Sequence, residues 1–235
     1  MQQLGLPGLT LADASRFDSF WPGPNATALE AVARLAGDGG EPVVFLHGPV
    51  NSGKTHLLKA AWRGVHERGL AAAYLPLDEA LMLDPALIDG WGELRLVAID
   101  AVERIARYGA WERALFRLAE EVRENGGTLL AAGRRPPDAL GLGLPDLASR
   151  LAWGPIYSLV PLDDADLCEL AAHLARARGL ELPDAVARFL VRRISRDPGA
   201  LADSMVRLDE AALAAQRRLT VPFVREVLFG GAGPR

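Results

Sequence analysis

Residues 48–55, GPVNSGKT, constrain this chain more than any other stretch. They match G-x-x-x-x-G-K-[ST], a loop whose backbone N–H groups converge on one anion. Such a loop belongs between a strand and a helix, and the flanks agree. PVVFLHG (42–48) is a short apolar run ending at Gly48, and Leu57, Leu58, Ala61, Trp62 and Val65 recur at helical spacing between Lys54 and about Arg68. Gly48 and Gly53 allow the tight backbone curl, with Pro49, Val50, Asn51 and Ser52 between them. Lys54 brings a cation to the β- and γ-phosphates of a nucleotide, Thr55 offers a hydroxyl to Mg²⁺, and the helix points its positive end at the anion. The competing reading is a glycine-containing strand–helix loop that matches by chance.

The same alternation continues. AAAYLPL (71–77), LRLVAID (94–100), TLLAAG (128–133) and IYSLVPL (156–162) read as further strands. Between Tyr108 and Asn125 a helix is expected from Trp111, Leu115, Leu118, Ala119 and Val122, closed by ENGG. This pattern predicts an α/β fold: a parallel five-stranded sheet sandwiched by helices. Beyond Asp163 only helices are expected, at about 164–178, 183–195, 200–218 and 221–229. The chain therefore divides into an irregular arm (1–25), a P-loop nucleotide-binding domain (26–162), a small all-α domain (163–229) and a tail (230–235).

Asp100 ends the third strand, beside the crevice where such sheets bind ligands, and can hold Mg²⁺ through water. A helix cap or turn residue is the other reading. Ala101 follows, where many nucleotide hydrolases place a second acid to polarise water. Glu103 is either a substitute or a solvent-facing charge, and the second reading is preferred. Tight nucleotide binding with slow hydrolysis is the expectation.

Composition excludes several classes. With 26 Lys and Arg against 30 Asp and Glu, the net charge of −4 gives no general attraction to nucleic acid. Cys168 is the only cysteine, so no internal disulfide forms, which fits a reducing compartment. The first residues lack a signal-peptide pattern, and no apolar run reaches the roughly 18 residues a membrane span needs, so a cytoplasmic protein is expected. His47, His56, His66 and His173 are scattered without metal-site spacing, and Ser52 sits in the loop rather than in a nucleophile elbow.

Between the fourth and fifth strands, GLPDLASRLAWG (143–154) reads as a short helix packing through Leu144, Leu147, Ala148 and Leu151, with Arg150 toward solvent. Trp153 and Tyr157 nearby are packing residues, with an interface role open for Trp153. Here a resemblance enters. FDSFWPGPN (17–25), GKTHLLKAA (53–61), RRPPDALGLGLPDLASRLAWG (134–154), LELPDAVARFLVRR (180–193) and TVPFVREVL (220–228) resemble the Hda family of DnaA-homologous regulatory inactivators, AAA+ ATPases of the DnaA superfamily. The likeness runs over residues 1–229.

The resemblance implies an AAA+ domain with a helical lid, binding ADP or ATP with Mg²⁺. It implies two partners: the DNA polymerase III sliding clamp (beta subunit) and DnaA, whose bound ATP is hydrolysed when Arg150 is supplied in trans. It allows a homo-oligomer; the chain itself shows no dense basic stripe, so direct sequence-specific DNA binding is not expected. QQLGLP (2–7) resembles the family's clamp-binding peptide, with Gln3 donating hydrogen bonds and Leu4 and Leu6 entering an apolar groove. Gly5 departs from the usual Ser or Asp there. Two departures lie in the nucleotide domain and lid: Arg134 stands where relatives carry an acidic or amide sensor, and Gly199 where many have a sensor arginine, with Arg196 as a candidate substitute. A self-sufficient AAA+ ATPase, such as a helicase loader or DnaA-like remodelling factor, is the alternative.

Overall fold

A computed structural model describes residues 15–37, 40–194 and 197–230. Contacts divide the chain into two compact units that meet between Val160 and Pro161.

The first unit is built on a parallel sheet of β1 (Val43–His47), β2 (Ala72–Pro76), β3 (Leu96–Asp100), β4 (Thr128–Gly133) and β5 (Ile156–Ser158), ordered β2-β3-β4-β1-β5. The apolar runs have no polar alternation because both sheet faces are covered. Successive residues serve opposite cores. Val43, Phe45, Val97, Ile99, Leu129 and Ala131 point one way. Val44, Leu46, Leu96, Ala98, Leu130 and Ala132 point the other. The first face is covered by α4 (Gly109–Glu124) and α5 (Pro145–Leu151), the second by α1 (Ala26–Leu35) and α2 (Lys54–Glu67).

Parallel strands end on the same side, and β1, β3 and β4 therefore deliver His47, Asp100 and Gly133 to one edge of the sheet. β1 sits between β4 and β5, so the loop after it is flanked by both. β5 is shorter than expected from IYSLVPL: it pairs only with β1, and the chain leaves the ladder after the Leu159 N–H has bonded to His47 O. Buried Asn25 clamps this exit. Its amide donates to Val160 O and accepts from Val160 N, each at 2.8 Å. A short helix, α3 (Leu77–Ala80), and two 3₁₀ turns, Pro85–Ile88 and Trp91–Glu93, lie between β2 and β3 where the sequence suggested no element.

The second unit contains α6 (Asp164–Ala177), α7 (Asp184–Arg193), α8 (Pro198–Ala215) and α9 (Val221–Phe229). α6 packs on α7 and α8, and α9 packs on the same two. Asp163 and Asp166 form a reciprocal capping box, which fixes where α6 begins. α8 begins two residues earlier than expected, because Asp197 caps it by accepting from Gly199 N. It ends at Ala215, three residues early, where Gln216 turns left-handed. Phe189 and Phe229 meet edge to face at 6.2 Å between α7 and α9.

Candidate nucleotide-binding site and the Arg150 helix

The loop between β1 and α2 has the geometry of an anion cradle. Gly48 N bonds to Gly133 O, which ties the loop to β4. A Cβ on Gly48 would lie 2.4 Å from Leu159 O, so no larger residue fits. Asn51 and Gly53 adopt left-handed conformations, φ 63° and 94°, which curl the backbone between Pro49 and Lys54. Val50 is exposed at the loop tip and Ser52 is buried beneath it. Lys54 folds back into the loop, donating to Gly48 O (2.7 Å), Pro49 O (2.6 Å) and Ser52 Oγ (3.3 Å). Burial lowers its pKa, opposed by Asp100 and Glu103 and reinforced by Arg134. A phosphate is a better partner for that ammonium than neutral carbonyls, and it would also meet the unpaired N–H groups that begin any helix.

Asp100 and Thr55 are in contact. Thr55 Oγ1 donates to Asp100 Oδ2 at 2.6 Å, and Ala101 N donates to Asp100 Oδ1 at 2.8 Å. Burial raises the Asp100 pKa against these hydrogen bonds and the Lys54 charge. A hydroxyl and a carboxylate in contact are the oxygen donors a hard dication prefers. Tyr74, which the sequence did not single out, also donates to Asp100 Oδ2, at 3.3 Å. Burial and the Asp100 charge push that phenol well above its usual range. Only the register of β2 on β3, pairing Tyr74 with Ala98, reveals this contact.

Ala101 is left-handed, φ 58°, and opens a 3₁₀ turn that carries Glu103. Glu103 is not the solvent-facing charge preferred from sequence. Its carboxylate accepts from Arg134 N at 3.2 Å and pairs with Arg134 Nε at 3.2 Å. Since Arg134 follows Gly133, the strand partner of His47, this ion pair stands beside the cradle. Burial and the Lys54 charge depress the His47 pKa.

The segment before α1 also reaches the cradle. A Cβ on Gly53 would lie 2.7 Å from Phe20 Cε2. Phe20 also lies 5.4 Å from the His56 ring, and His56 Nε2 bonds to Arg16 O. Nothing in the local pattern of FDSFW shows that it packs on the P-loop helix.

Arg150 departs from its expected exposure. It lies on α5, but its Nε and Nη2 donate to Glu120 Oε1 on α4 at 3.2 and 3.1 Å. Its guanidinium lies 4.4 Å from the Trp153 ring centre and 5.1 Å from that of Phe116. The side chain is 27% exposed. Charge pairing and ring stacking outcompete full solvation here. α5 itself is placed by Glu112, buried on α4, whose carboxylate accepts from the backbone N–H groups of Arg107, Gly143 and Leu144.

Gly199 lies in the first turn of α8, in the second unit. Gln3, Leu4, Leu6 and Arg196 lie outside the described residues. Among the described residues no group of three or more His, Cys, Asp or Glu is placed to hold a metal ion, and no helix is long and apolar enough to cross a membrane.

Comparison with known proteins agrees with this architecture. Residues 163–228 match the family described as Hda, lid domain. Domain III of the Thermotoga maritima replication initiation protein DnaA superposes with a TM-score of 0.76 at 22% identity, covering 96% of this chain and all of that one. DnaA from Aquifex aeolicus bound to AMPPCP gives 0.72 at 22% identity, covering 87% of this chain and 67% of that one. The Thermotoga maritima Holliday junction branch migration motor RuvB gives 0.65 at 19%, covering 91% and 71%. Residues 163–228 thus match the Hda lid domain, and the chain shares the fold of DnaA domain III.

Proposed function

We propose that this chain is a nucleotide-binding negative regulator of DNA replication initiation. The observation that carries the reading is the Hda lid domain at residues 163–228, borne by a chain with a formed P-loop. ADP or ATP is held by residues 48–55, with Mg²⁺ ligated by Thr55 and, through water, Asp100. DnaA structures determined with AMPPCP share the fold, which supports nucleotide binding here. The metal supplies charge neutralisation between phosphates; Lys54 and the start of α2 hold and orient them.

Intrinsic turnover is slow in this reading. Ala101 carries no acid or amide, and Glu103, the nearest alternative, is committed to Arg134. The chemistry occurs on a partner's nucleotide instead. Gln3, Leu4 and Leu6 dock the protein on the sliding clamp, and Arg150 meets the ATP bound by DnaA. A guanidinium placed against developing γ-phosphate charge accelerates transfer by about 10³–10⁵, or roughly 4–7 kcal/mol of barrier. The deciding experiment measures hydrolysis of DnaA-bound ATP in the presence of clamp-loaded DNA. The Arg150→Ala variant is expected to lose stimulation while still binding ADP; equal activity of variant and wild type refutes the trans role. Turnover by the protein alone near 1 s⁻¹, a rate typical of working enzymes, would instead favour a self-sufficient AAA+ ATPase.

A further inference from the structure

We propose that Tyr74 is a specificity-determining residue of the metal site: it restricts Asp100 to ligation through water and so favours Mg²⁺ over Ca²⁺. The inference rests on the reading of Thr55 and Asp100 as the residues that serve the metal. Its basis is how the Asp100 carboxylate is already engaged. Oδ2 accepts two hydroxyls, from Thr55 Oγ1 at 2.6 Å and from Tyr74 Oη at 3.3 Å, while Oδ1 accepts Ala101 N at 2.8 Å. An ionised carboxylate offers about four lone-pair sites. Both sites on Oδ2 are therefore filled, and the open acceptor site is on Oδ1.

The filling is produced by three elements. Asp100 ends β3, Thr55 lies in the first turn of α2, and Tyr74 comes from the middle of β2. β2 and β3 pair Tyr74 with Ala98 and Pro76 with Asp100. Residues two apart on a strand share a face, so Tyr74 and Asp100 are diagonal neighbours on the side that α2 covers. Tyr74 is 5% exposed, and among the described residues its hydroxyl bonds to Asp100 alone. A buried phenol needs an acceptor, and here topology leaves it this carboxylate. At 3.3 Å the bond is longer and weaker than that from Thr55. What matters is the place that its oxygen occupies.

The two dications ask different things of a carboxylate. Mg²⁺ is small, dehydrates reluctantly and keeps several waters, so an acid reached through water suits it. Ca²⁺ is larger, takes more oxygen ligands and often engages both oxygens of a carboxylate directly. With Oδ2 filled, that second mode is closed to Asp100, and the open Oδ1 site can still accept a proton from a metal-bound water. Thr55 fills one of the Oδ2 sites only. Without the phenol, the other opens.

The test measures binding of a fluorescent ADP analogue to the full chain in EDTA, in magnesium chloride and in calcium chloride. It compares wild type, Tyr74→Phe, Asp100→Asn and the double variant. Tyr74→Phe keeps the ring and removes the oxygen. Mg²⁺ should tighten binding to wild type more than Ca²⁺ does, and Tyr74→Phe should lower that ratio by about tenfold, the lower end of what groups supporting a metal ligand contribute. A merely structural loss would weaken binding alike in all three solutions and leave the ratio as in wild type. In the Asp100→Asn background the same substitution should leave the ratio unchanged, because the phenol acts through the carboxylate. A wild-type ratio in Tyr74→Phe, or an equal fall in the Asp100→Asn background, overturns the role of Tyr74 alone. If Asp100→Asn keeps the full Mg²⁺ effect of wild type, the reading of Asp100 as a metal residue fails, and the role of Tyr74 fails with it.

Discussion

Thr55 and Asp100, 45 residues apart in sequence, are joined by a 2.6 Å hydrogen bond from hydroxyl to carboxylate. The two oxygens proposed to serve Mg²⁺ therefore face each other. Thr55→Val removes one without changing side-chain shape. Titration with a fluorescent ADP analogue should show Mg²⁺ tightening binding for wild type, and at least about tenfold less tightening for the variant. An equal Mg²⁺ effect in both proteins excludes Thr55 from the metal site.

The raised pKa of Asp100 has a consequence for stability. Burial is its largest cause, so the folded chain holds a proton on this carboxyl more readily than the unfolded chain does. The associated stability is fully present below the ordinary aspartate value and is lost as pH rises through the raised one. Asp100→Asn abolishes this titration. The unfolding free energy of wild type relative to Asp100→Asn should therefore decrease with rising pH across that window. A difference independent of pH rules the linkage out.

Gly53 shows why a glycine in the loop is more than a motif letter. Its φ of 94° disfavours any L side chain, and Phe20 occupies the place of a Cβ. Gly53→Ala is expected to destabilise the protein by about 1–3 kcal/mol through strain. Phe20→Ala relieves the contact and leaves the torsion, so the double mutant should lose less than the sum of the two. Strict additivity in denaturant unfolding means that the ring yields freely.

The sequence made the strands and the loop legible because these follow from local period and fixed spacing. PVVFLHG and TLLAAG became strands at nearly the expected residues. What it hid were partners chosen by topology. Glu120 meets Arg150 only because α4 and α5 cover the same sheet face, and Phe20 meets Gly53 only because the segment before α1 crosses the start of α2. Arg134 and Glu103 lie on separate loops, brought together because β3 and β4 are neighbours. Helix ends slipped for a different reason: a side-chain cap such as Asp197 decides them, and several candidates lie within reach of each.

The Arg134–Glu103 pair separates a binding role from a structural one. Arg134 is 58% exposed, so breaking the pair should change stability by less than about 1 kcal/mol. Its charge nevertheless acts on Lys54. Arg134→Ala should weaken ATP binding more than ADP binding, because the cation lost stands beside the cradle and a triphosphate carries more charge. Equal losses for the two nucleotides would show that Arg134 does not sense phosphate number.

Glu112 offers the sharpest test of how α5 is held. It is 2% exposed, yet its carboxylate satisfies three backbone N–H groups, at 2.7 Å from Arg107, 2.9 Å from Gly143 and 2.6 Å from Leu144. Arg107 is left-handed at φ 70°, and a torsion of that kind persists only where its surroundings enforce it. Removing the acceptor takes their shared partner from three part-buried donors, so Glu112→Ala should cost about 1–3 kcal/mol in unfolding free energy. Glu112→Gln retains one acceptor oxygen and should cost less. Because the bonds to Gly143 and Leu144 set the start of α5, the alanine variant should also expose the amides of 143–151 to hydrogen exchange while those of β1 stay protected. Unchanged exchange in α5 would show that core packing of Leu147 and Leu151 suffices to hold the helix that carries Arg150.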